Sequence, residues 1–208
     1  MKEFMIGRTL DHPHIVQVLS SGASDRHLYL AMAHLAGTTL EAYLQERHQL
    51  CEHSAVGLFR QLVDAVGYLH SNHIAHRDIT PKNLMYDSLQ RRIVLIDLSH
   101  AAFFLPDQTM SESEGTPAFA APEILFNQFY HPASVDVWSM GVTLFTMVAG
   151  TRPWPPAPDM ARQAMAIALE PMARPAHFSS DLLLLVEGML HRDPALRWTL
   201  AHVAASNW

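Results

Sequence analysis

Three polar residues near the middle of the chain have the side chains that phosphoryl transfer requires. Asp78 lies five residues before Asn83, with Pro81 stiffening the turn between them, and the apolar run 93–96 ends at a second carboxylate, Asp97. A carboxylate can accept the proton of an attacking hydroxyl, and two oxygen donors can bind Mg²⁺. Taken singly, each residue is more often a turn or cap residue, but the spacing of all three between apolar segments favours this chemistry.

The stretch 76–83, His-Arg-Asp-Ile-Thr-Pro-Lys-Asn, resembles the catalytic loop of eukaryotic-type protein kinases of the serine/threonine type. Four further segments resemble family motifs in the family's order: 97–99 (Asp-Leu-Ser for Asp-Phe-Gly), 115–123 (the end of the activation segment), 136–141 (a buried central helix) and 192–197 (a late helical region). The resemblance implies an α+β fold for one incomplete kinase domain, 1–208. Its truncated small lobe, 1–33, would hold one helix and two strands, and its large lobe, 34–208, would be mainly helical.

The resemblance also implies roles for individual residues. Asp78 would accept the proton of the substrate hydroxyl, Asn83 and Asp97 would bind Mg²⁺, and Thr116 would bond to Asp78. ATP would be the phosphate donor. Its adenine would lie against four residues: Met32 as gatekeeper, the backbone of Ala33 and Leu35, and Met85 as the floor. The alternative is an ordinary strand end before Gly37, with Met85 as a core methionine.

Structural and regulatory roles follow from the same resemblance. Glu3 matches a helix glutamate that pairs with a strand lysine, although it could equally be a solvated residue in a first helical turn. Asp136 would brace the 76–78 turn, and Glu123 and Arg197 would form a buried ion pair. The loop 100–114 contains three candidate phosphorylation sites, Thr109, Ser111 and Ser113. Arg77 would bind their phosphate, unless the loop is simply solvated and unmodified.

Several positions depart from the family pattern. No G-x-G-x-x-G occurs, and Lys2 is the only lysine before Lys82. Gly7 replaces a large apolar residue, so we expect a gap there and a weaker helix. Thr80 replaces a lysine aimed at the phosphate, and we expect Lys82 to point elsewhere. Ser99 replaces a glycine in a loop that must change conformation.

Composition excludes several classes of protein. The net charge of −6 argues against a partner bound through nucleic-acid phosphates. Cys51 is the only cysteine, which excludes an intrachain disulfide and fits a reducing compartment, so we expect a cytoplasmic protein. A protein substrate is what the resemblance to protein kinases implies. No apolar run approaches the roughly 20 residues of a membrane span. No histidine pair has a His-Glu-x-x-His type spacing, and pairs such as 12/14 and 70/73 are more often surface or loop residues than metal ligands.

Hydrophobic periodicity and turn residues predict the elements. The strongest helix is 54–71, and a hairpin 84–86/92–95 follows the catalytic loop, with a turn at 87–90. The remaining predictions are helices at 2–10, 40–47 with Thr39 as N-cap, 134–148 capped by Ser134 and ended by Gly150, 159–169, 180–190 and 199–206, strands at 15–19 and 27–33, and a turn at 20–25. We also expect exposed apolar surface beside 15–18.

Three hypotheses explain these features. The first is a serine/threonine protein kinase that uses MgATP. The second is a pseudokinase or truncated kinase that acts as a binding scaffold, supported by the absent glycine loop and by Gly7, Thr80 and Ser99. The third is a fragment whose missing strands are encoded upstream, and we prefer it because all three site residues are present. More narrowly, 115–119 resembles the Ca²⁺/calmodulin-dependent protein kinase kinases.

Overall fold

The structure, a computed structural model, describes residues 2–208. Among the described residues, the seven short strands all lie in the first half together with three helices, and the second half is helical, as expected for the α+β class. In chain order the elements are α1 (Lys2–Gly7), β1 (Val18–Ala23), β2 (Leu28–Met32), β3 (Thr38–Thr39), α2 (Leu40–Arg47), α3 (Glu52–Ser71), β4 (Ile74–Ala75), β5 (Leu84–Asp87), β6 (Arg92–Leu95), β7 (Ala102–Phe103), α4 (Pro122–Leu125), α5 (Pro132–Ala149), α6 (Met160–Leu169), α7 (Ser180–Met189) and α8 (Leu200–Ala204). Two 3-10 turns, Pro81–Asn83 and Pro117–Phe119, complete the list.

Strands β1 and β2 form an antiparallel hairpin with a bulge after Val18. The predicted turn at 20–25 is wrong, because residues 20–23 pair with β2 and the chain reverses only at 24–27. The predicted strand at 15–19 is also displaced, since Ile15 makes only a single parallel bridge to Leu95. That bridge ties the N-terminal segment to the end of β6, two residues before Asp97.

The hairpin leaves apolar side chains in solvent beside the segment 15–18, as expected, while three side chains of that segment itself are buried. Ile15, Val16 and Val18 are buried in the core. The exposed side chains come from the hairpin itself and include Leu19, Leu28 and Tyr29, the second of which is 69% exposed. No residue of β2 is fully buried, so both faces of this two-stranded ribbon contact solvent.

Helix α5 is the centre of the larger, helical part. Nearly all of its residues are buried, including the polar Asp136, Ser139 and Thr143, and it packs against α3 and α7. The indole rings of Trp138 and Trp154 stack with centroids 5.7 Å apart and planes 4° from parallel. A continuous apolar core therefore lies directly behind the residues 76–83.

The observed helix ends explain where the sequence predictions were correct and where they were wrong. Thr39 caps α2 by accepting a hydrogen bond from the amide of Ala42, as predicted. Gly150 ends α5 with a φ of 71°, also as predicted. Ser134 is not the cap, because the helix begins at Pro132, whose fixed φ suits a first helical position. Helix α1 ends at Gly7 and not at residue 10.

Among residues 2–208, no helix combines the length and the apolar character needed to cross a membrane. The division of the chain into a small lobe, 1–33, and a large lobe, 34–208, stays a prediction.

Candidate active site

The catalytic-loop backbone is held from beneath by Asp136 on α5. Its Oδ2 accepts a hydrogen bond from the amide of His76 at 2.9 Å, and its Oδ1 accepts one from the amide of Arg77 at 2.7 Å. The ring of His70 contacts the same Oδ2 at 2.8 Å. Arg77 has a φ of 65°, an uncommon conformation for a residue with a side chain. One buried carboxylate thus stabilises a strained turn by bonding to consecutive amides.

The carboxylate of Asp78 is buried and oriented by two donors. Its Oδ1 accepts a hydrogen bond from the backbone amide of Thr116 at 2.8 Å. Its Oδ2 accepts one from the Nδ2 of Asn83, also at 2.8 Å. The donor is therefore the backbone N–H of Thr116. The resemblance alone did not specify which atom of Thr116 bonds to Asp78.

Asn83 is oriented by the same contacts. Its Nδ2 donates to the carbonyl oxygen of Asp78 as well as to the carboxylate, at 2.8 Å in both cases. No hydrogen bond from residues 2–208 reaches its Oδ1, so the side-chain oxygen is the atom that remains for a cation. This orientation suits a ligand for Mg²⁺, which prefers oxygen donors.

Backbone hydrogen bonds bring Asp97 next to the catalytic loop. The amide of Ile96 donates to the carbonyl of Asn83 at 2.9 Å, and the carbonyl of Ile96 lies 3.1 Å from Nε2 of His76. Asp97 itself has a φ of 62°. Partial burial alone would raise the pKa of the Asp97 carboxyl, but hydrogen bonding from Ser99 outweighs it and lowers the pKa, so the group is a carboxylate at neutral pH.

His76 connects the two halves of the site, and sequence reasoning assigned it no role. It is fully buried, and desolvation lowers its pKa despite the nearby Asp136 carboxylate, so the ring is neutral. Its Nδ1 accepts from the amide of Asp78 at 3.3 Å, which leaves Nε2–H to donate to Ile96. The signal that could have found it was its place two residues before Asp78, directly after an apolar pair.

The donor set around these residues fits a magnesium ion that is bound partly by a phosphate ligand. Asn83 and Asp97 offer two oxygen donors, and Mg²⁺ commonly takes one or two protein ligands with the remainder from phosphates and water. Across the described residues, 2–208, no three His, Cys, Asp or Glu side chains cluster as metal ligands.

His12, one of the histidines considered in the sequence, has a carboxylate as its partner: its ring contacts Asp64 at 3.2 Å.

The guanidinium of Arg77 is already paired with acidic side chains of the loop 100–114. It reaches Glu112 at 2.9 Å and Glu114 at 3.3 Å, and it also donates to the hydroxyl of Tyr130 at 3.2 Å. The Nδ1 of His100 contacts Glu114 at 3.0 Å. The hydrogen bond from His100, followed by the positive charge of Arg77, lowers the pKa of Glu114 although burial opposes this.

The three candidate phosphorylation sites lie beside this cluster and are exposed. Thr109 and Ser111 flank Met110, whose backbone pairs with that of Tyr130. The hydroxyl of Ser113 is bonded to the Asn127 side chain at 2.7 Å. The position expected to receive a phosphate is thus occupied by the carboxylates of Glu112 and Glu114, which sequence reasoning did not single out.

On the nucleotide side, the structure brings together Leu35 and Met85, which line a cavity of about 220 Å³. Met32 is 41% exposed and is not among the residues that line this cavity. The amide of Ala33 donates to the carbonyl of Gln17 at 2.9 Å, so only the carbonyl of Ala33 remains for an adenine edge. The adenine contacts of Met32, Ala33, Leu35 and Met85 stay predictions.

Helix α1 shows no gap at Gly7, which corrects the sequence prediction. A Cβ on this residue would lie 2.3 Å from Cγ2 of Val18 and 3.4 Å from Cδ1 of Leu98. The glycine therefore lets the helix approach the segment 97–99 closely. Glu3, on the same helix, is partly buried, and within residues 2–208 it has no ion pair with a basic side chain.

Glu123 and Arg197 form a two-pronged buried ion pair at 2.6 and 2.9 Å. The guanidinium also donates to Ser134 and lies 5.0 Å from the centroid of the Trp138 ring. Because each of the three guanidinium nitrogens has an acceptor, the pair holds the segment that ends at Glu123 to the region around Arg197.

Lys82 corrects another expectation. Its Nζ lies 3.7 Å from Oδ2 of Asp78 and does not point away from the site.

The buried carboxylate of Asp78, the oriented amide of Asn83 and the carboxylate of Asp97 lie on one α+β scaffold, an arrangement that fits the protein kinase class. The chain belongs to the protein kinase family: the family model for the protein kinase domain matches residues 1–208.

Curated relatives agree with this assignment. The probable serine/threonine-protein kinase HSL1 of Saccharomyces cerevisiae is 31% identical over 97% of this chain and 13% of its own length. CBL-interacting protein kinase 11 of Oryza sativa subsp. japonica is 32% identical over 100% of this chain and 41% of its own. Serine/threonine-protein kinase SIK1 of Mus musculus is 32% identical over 100% of this chain and 26% of its own length. The chain thus spans less than half the length of these relatives. The finer resemblance of 115–119 stays a prediction.

Proposed function

We propose that the protein transfers the γ-phosphate of ATP to a serine or threonine hydroxyl of a protein substrate. The single observation that carries the proposal is the Asp78 carboxylate, fixed at one oxygen by Thr116 and at the other by Asn83. The relatives' names support the serine/threonine class. Pre-oriented groups suit phosphoryl transfer, which depends mainly on positioning and charge stabilisation.

In this mechanism Asp78 accepts the proton of the attacking hydroxyl. Asn83 and Asp97 would hold Mg²⁺, which when bound neutralises charge on the phosphates. His76 keeps the peptide before Asp97 at a constant distance from the loop that carries Asp78. The roles of Met32, Ala33, Leu35 and Met85 at the adenine belong to the same proposal.

We further propose that the protein acts in the cytoplasm. The support is Cys51, a free and exposed thiol that suits a reducing compartment.

The decisive experiment compares Asp78→Asn with Asp64→Asn in a phosphate-transfer assay with labelled ATP. Asp64 is an exposed aspartate on α3 that pairs with His12, so it matches the charge change away from the loop. We expect Asp78→Asn to lower turnover by about 10²–10⁴-fold, because general-base catalysis contributes that much. The control variant should retain full turnover.

Equal turnover in the two variants would contradict the assigned role of Asp78. Nucleotide binding without any transfer would support a scaffold instead. That second function is favoured by Thr80, which supplies no charge and whose buried hydroxyl finds no hydrogen-bond partner among residues 2–208.

A further inference from the structure

The turn that follows Asp78 places a positive charge beside the buried carboxylate. Lys82 lies in the 3-10 turn Pro81–Asn83, and its Nζ is 3.7 Å from Oδ2 of Asp78. The two side chains differ sharply in exposure, at 48% for Lys82 and 2% for Asp78. The ammonium group therefore sits at the mouth of the site, with the carboxylate at its base.

The other basic groups nearby are already committed or uncharged. Arg77 is paired with Glu112 and Glu114, and the buried ring of His76 is neutral. Thr80 has no charge to offer. Among residues 2–208, Lys82 is thus the one basic side chain within 4.0 Å of the Asp78 carboxylate.

We propose that Lys82 is the cation that contacts the transferring phosphoryl group, the task for which Thr80 has no charge. This inference rests on the proposed function. The four-carbon stem and half-exposed ammonium allow Nζ to move from Asp78 to a phosphate oxygen that arrives from the open side. A positive charge fixed where phosphate charge develops stabilises the transition state.

The step balances as an ordinary phosphoryl transfer. A bond forms between the substrate hydroxyl oxygen and the γ-phosphorus, and the bond from that phosphorus to the bridging oxygen of ADP breaks. The electron pair of the broken bond leaves with ADP. The hydroxyl proton passes to Asp78.

The lysine content of the chain permits a direct test, because Lys2 and Lys82 are its only lysines. The probe is ATP whose terminal phosphate carries an acyl group, which an adjacent amine attacks to form an amide with release of ATP. We expect peptide mass spectrometry to find acylation at Lys82, suppressed by excess MgATP. Lys2 is the internal control, and any acylation there should be insensitive to MgATP.

Kinetics supply the second readout, with Lys82→Met, Lys82→Arg and the control Arg162→Gln. Arg162 is an exposed basic residue that pairs with Asp159 on α6. We expect Lys82→Met to lower kcat by about 100-fold with little change in ATP binding. Lys82→Arg should recover most of that loss, and the control should change neither quantity. Circular dichroism and the thermal midpoint check that each variant is folded.

Different results would contradict the proposed function and the proposed role of Lys82. If a fluorescent nucleotide does not bind to the unaltered chain, both the proposed function and this inference are overturned. If the chain binds nucleotide and transfers phosphate, but Lys82 is not acylated and Lys82→Met keeps its kcat, only the inference is overturned.

Discussion

At Arg77 the cationic group expected to receive a phosphate is bonded to two glutamates of the neighbouring loop. Carboxylates carry less charge than a phosphate, but they need no modifying enzyme. The loop containing Thr109, Ser111 and Ser113 is consequently ordered around Arg77 without phosphorylation. Motif spacing could indicate Arg77, but not its partners, because Glu112 and Glu114 are ordinary residues of a polar loop until the fold brings them together.

We expect the double variant Glu112→Gln, Glu114→Gln to loosen the segment 109–114. Removing both negative charges leaves the Arg77 guanidinium with weaker acceptors in a site from which solvent is largely excluded. Hydrogen exchange measured by mass spectrometry should show faster exchange in this segment. The matched control, Thr109→Ala with Ser111→Ala, should exchange like the unaltered chain.

Acidification should have the same effect as the double variant. The folded-state pKa of Glu114 lies below its ordinary value of 4.5, so its contribution to stability is present above that pH. It is lost as the pH falls through the lower, folded value. If the protection factors in 109–114, which correct for the intrinsic pH dependence of exchange, stay unchanged from neutral pH down through this window, Glu114 does not order the loop.

Among the elements, helix α1 shows best what the sequence could and could not predict. Propensity correctly marks Gly7 as a weak point, and the helix ends there. The expected gap is wrong, because Val18 and Leu98 come from segments whose positions only the tertiary fold determines.

Strand β1 begins and ends later than the sequence predicts for a related reason. Its Ser-Ser-Gly-Ala composition is typical of a turn, and pairing with β2 overrides that preference. Helix α3, with strong periodicity, was predicted to within two residues of its start.

We expect Gly7→Ala to lower the free energy of unfolding by about 1–3 kcal/mol, as overpacking does. Helix propensity alone would predict the opposite sign, a gain of about 1 kcal/mol. Gly57→Ala on α3 is the matched control, because a Cβ there meets nothing within 4 Å. Denaturant unfolding should therefore show opposite shifts for the two variants.

Relief of the clash provides a further check. The double variant Gly7→Ala, Val18→Ala should recover part of the loss, since it shortens the side chain that the new methyl group meets. Stabilisation by Gly7→Ala alone would show that α1 does not pack closely on Val18.

For the whole molecule, packing is uneven between the hairpin and the helical part. Residues of β1 and β2 are mostly exposed, whereas α5 is almost entirely buried. A two-stranded hairpin with both faces in solvent is marginally stable. Sequence patterning predicted the mainly helical part well, because its apolar faces repeat at helical spacing. It also predicted exposed apolar surface beside 15–18, but it could not identify the individual exposed side chains, because these depend on what covers each strand.

We expect amides of the segment 18–32 to exchange hydrogen orders of magnitude faster than those of α5. Local opening of the hairpin breaks few buried contacts, while α5 exchanges only when the core opens. Residue-resolved hydrogen exchange measures both regions in one sample. Equal protection in the two regions would show that the hairpin is covered by another molecule.

All four tryptophans of the chain, at 138, 154, 198 and 208, lie in the helical part, and two of them stack almost parallel. Such adjacent chromophores couple their electronic transitions, so their near-ultraviolet circular dichroism depends on the spacing of the two rings. Fluorescence spectroscopy would consequently register melting of the helices and remain silent while the ribbon of strands opens. A chain that appears intact by tryptophan fluorescence can therefore already have lost the ordered hairpin of β1 and β2.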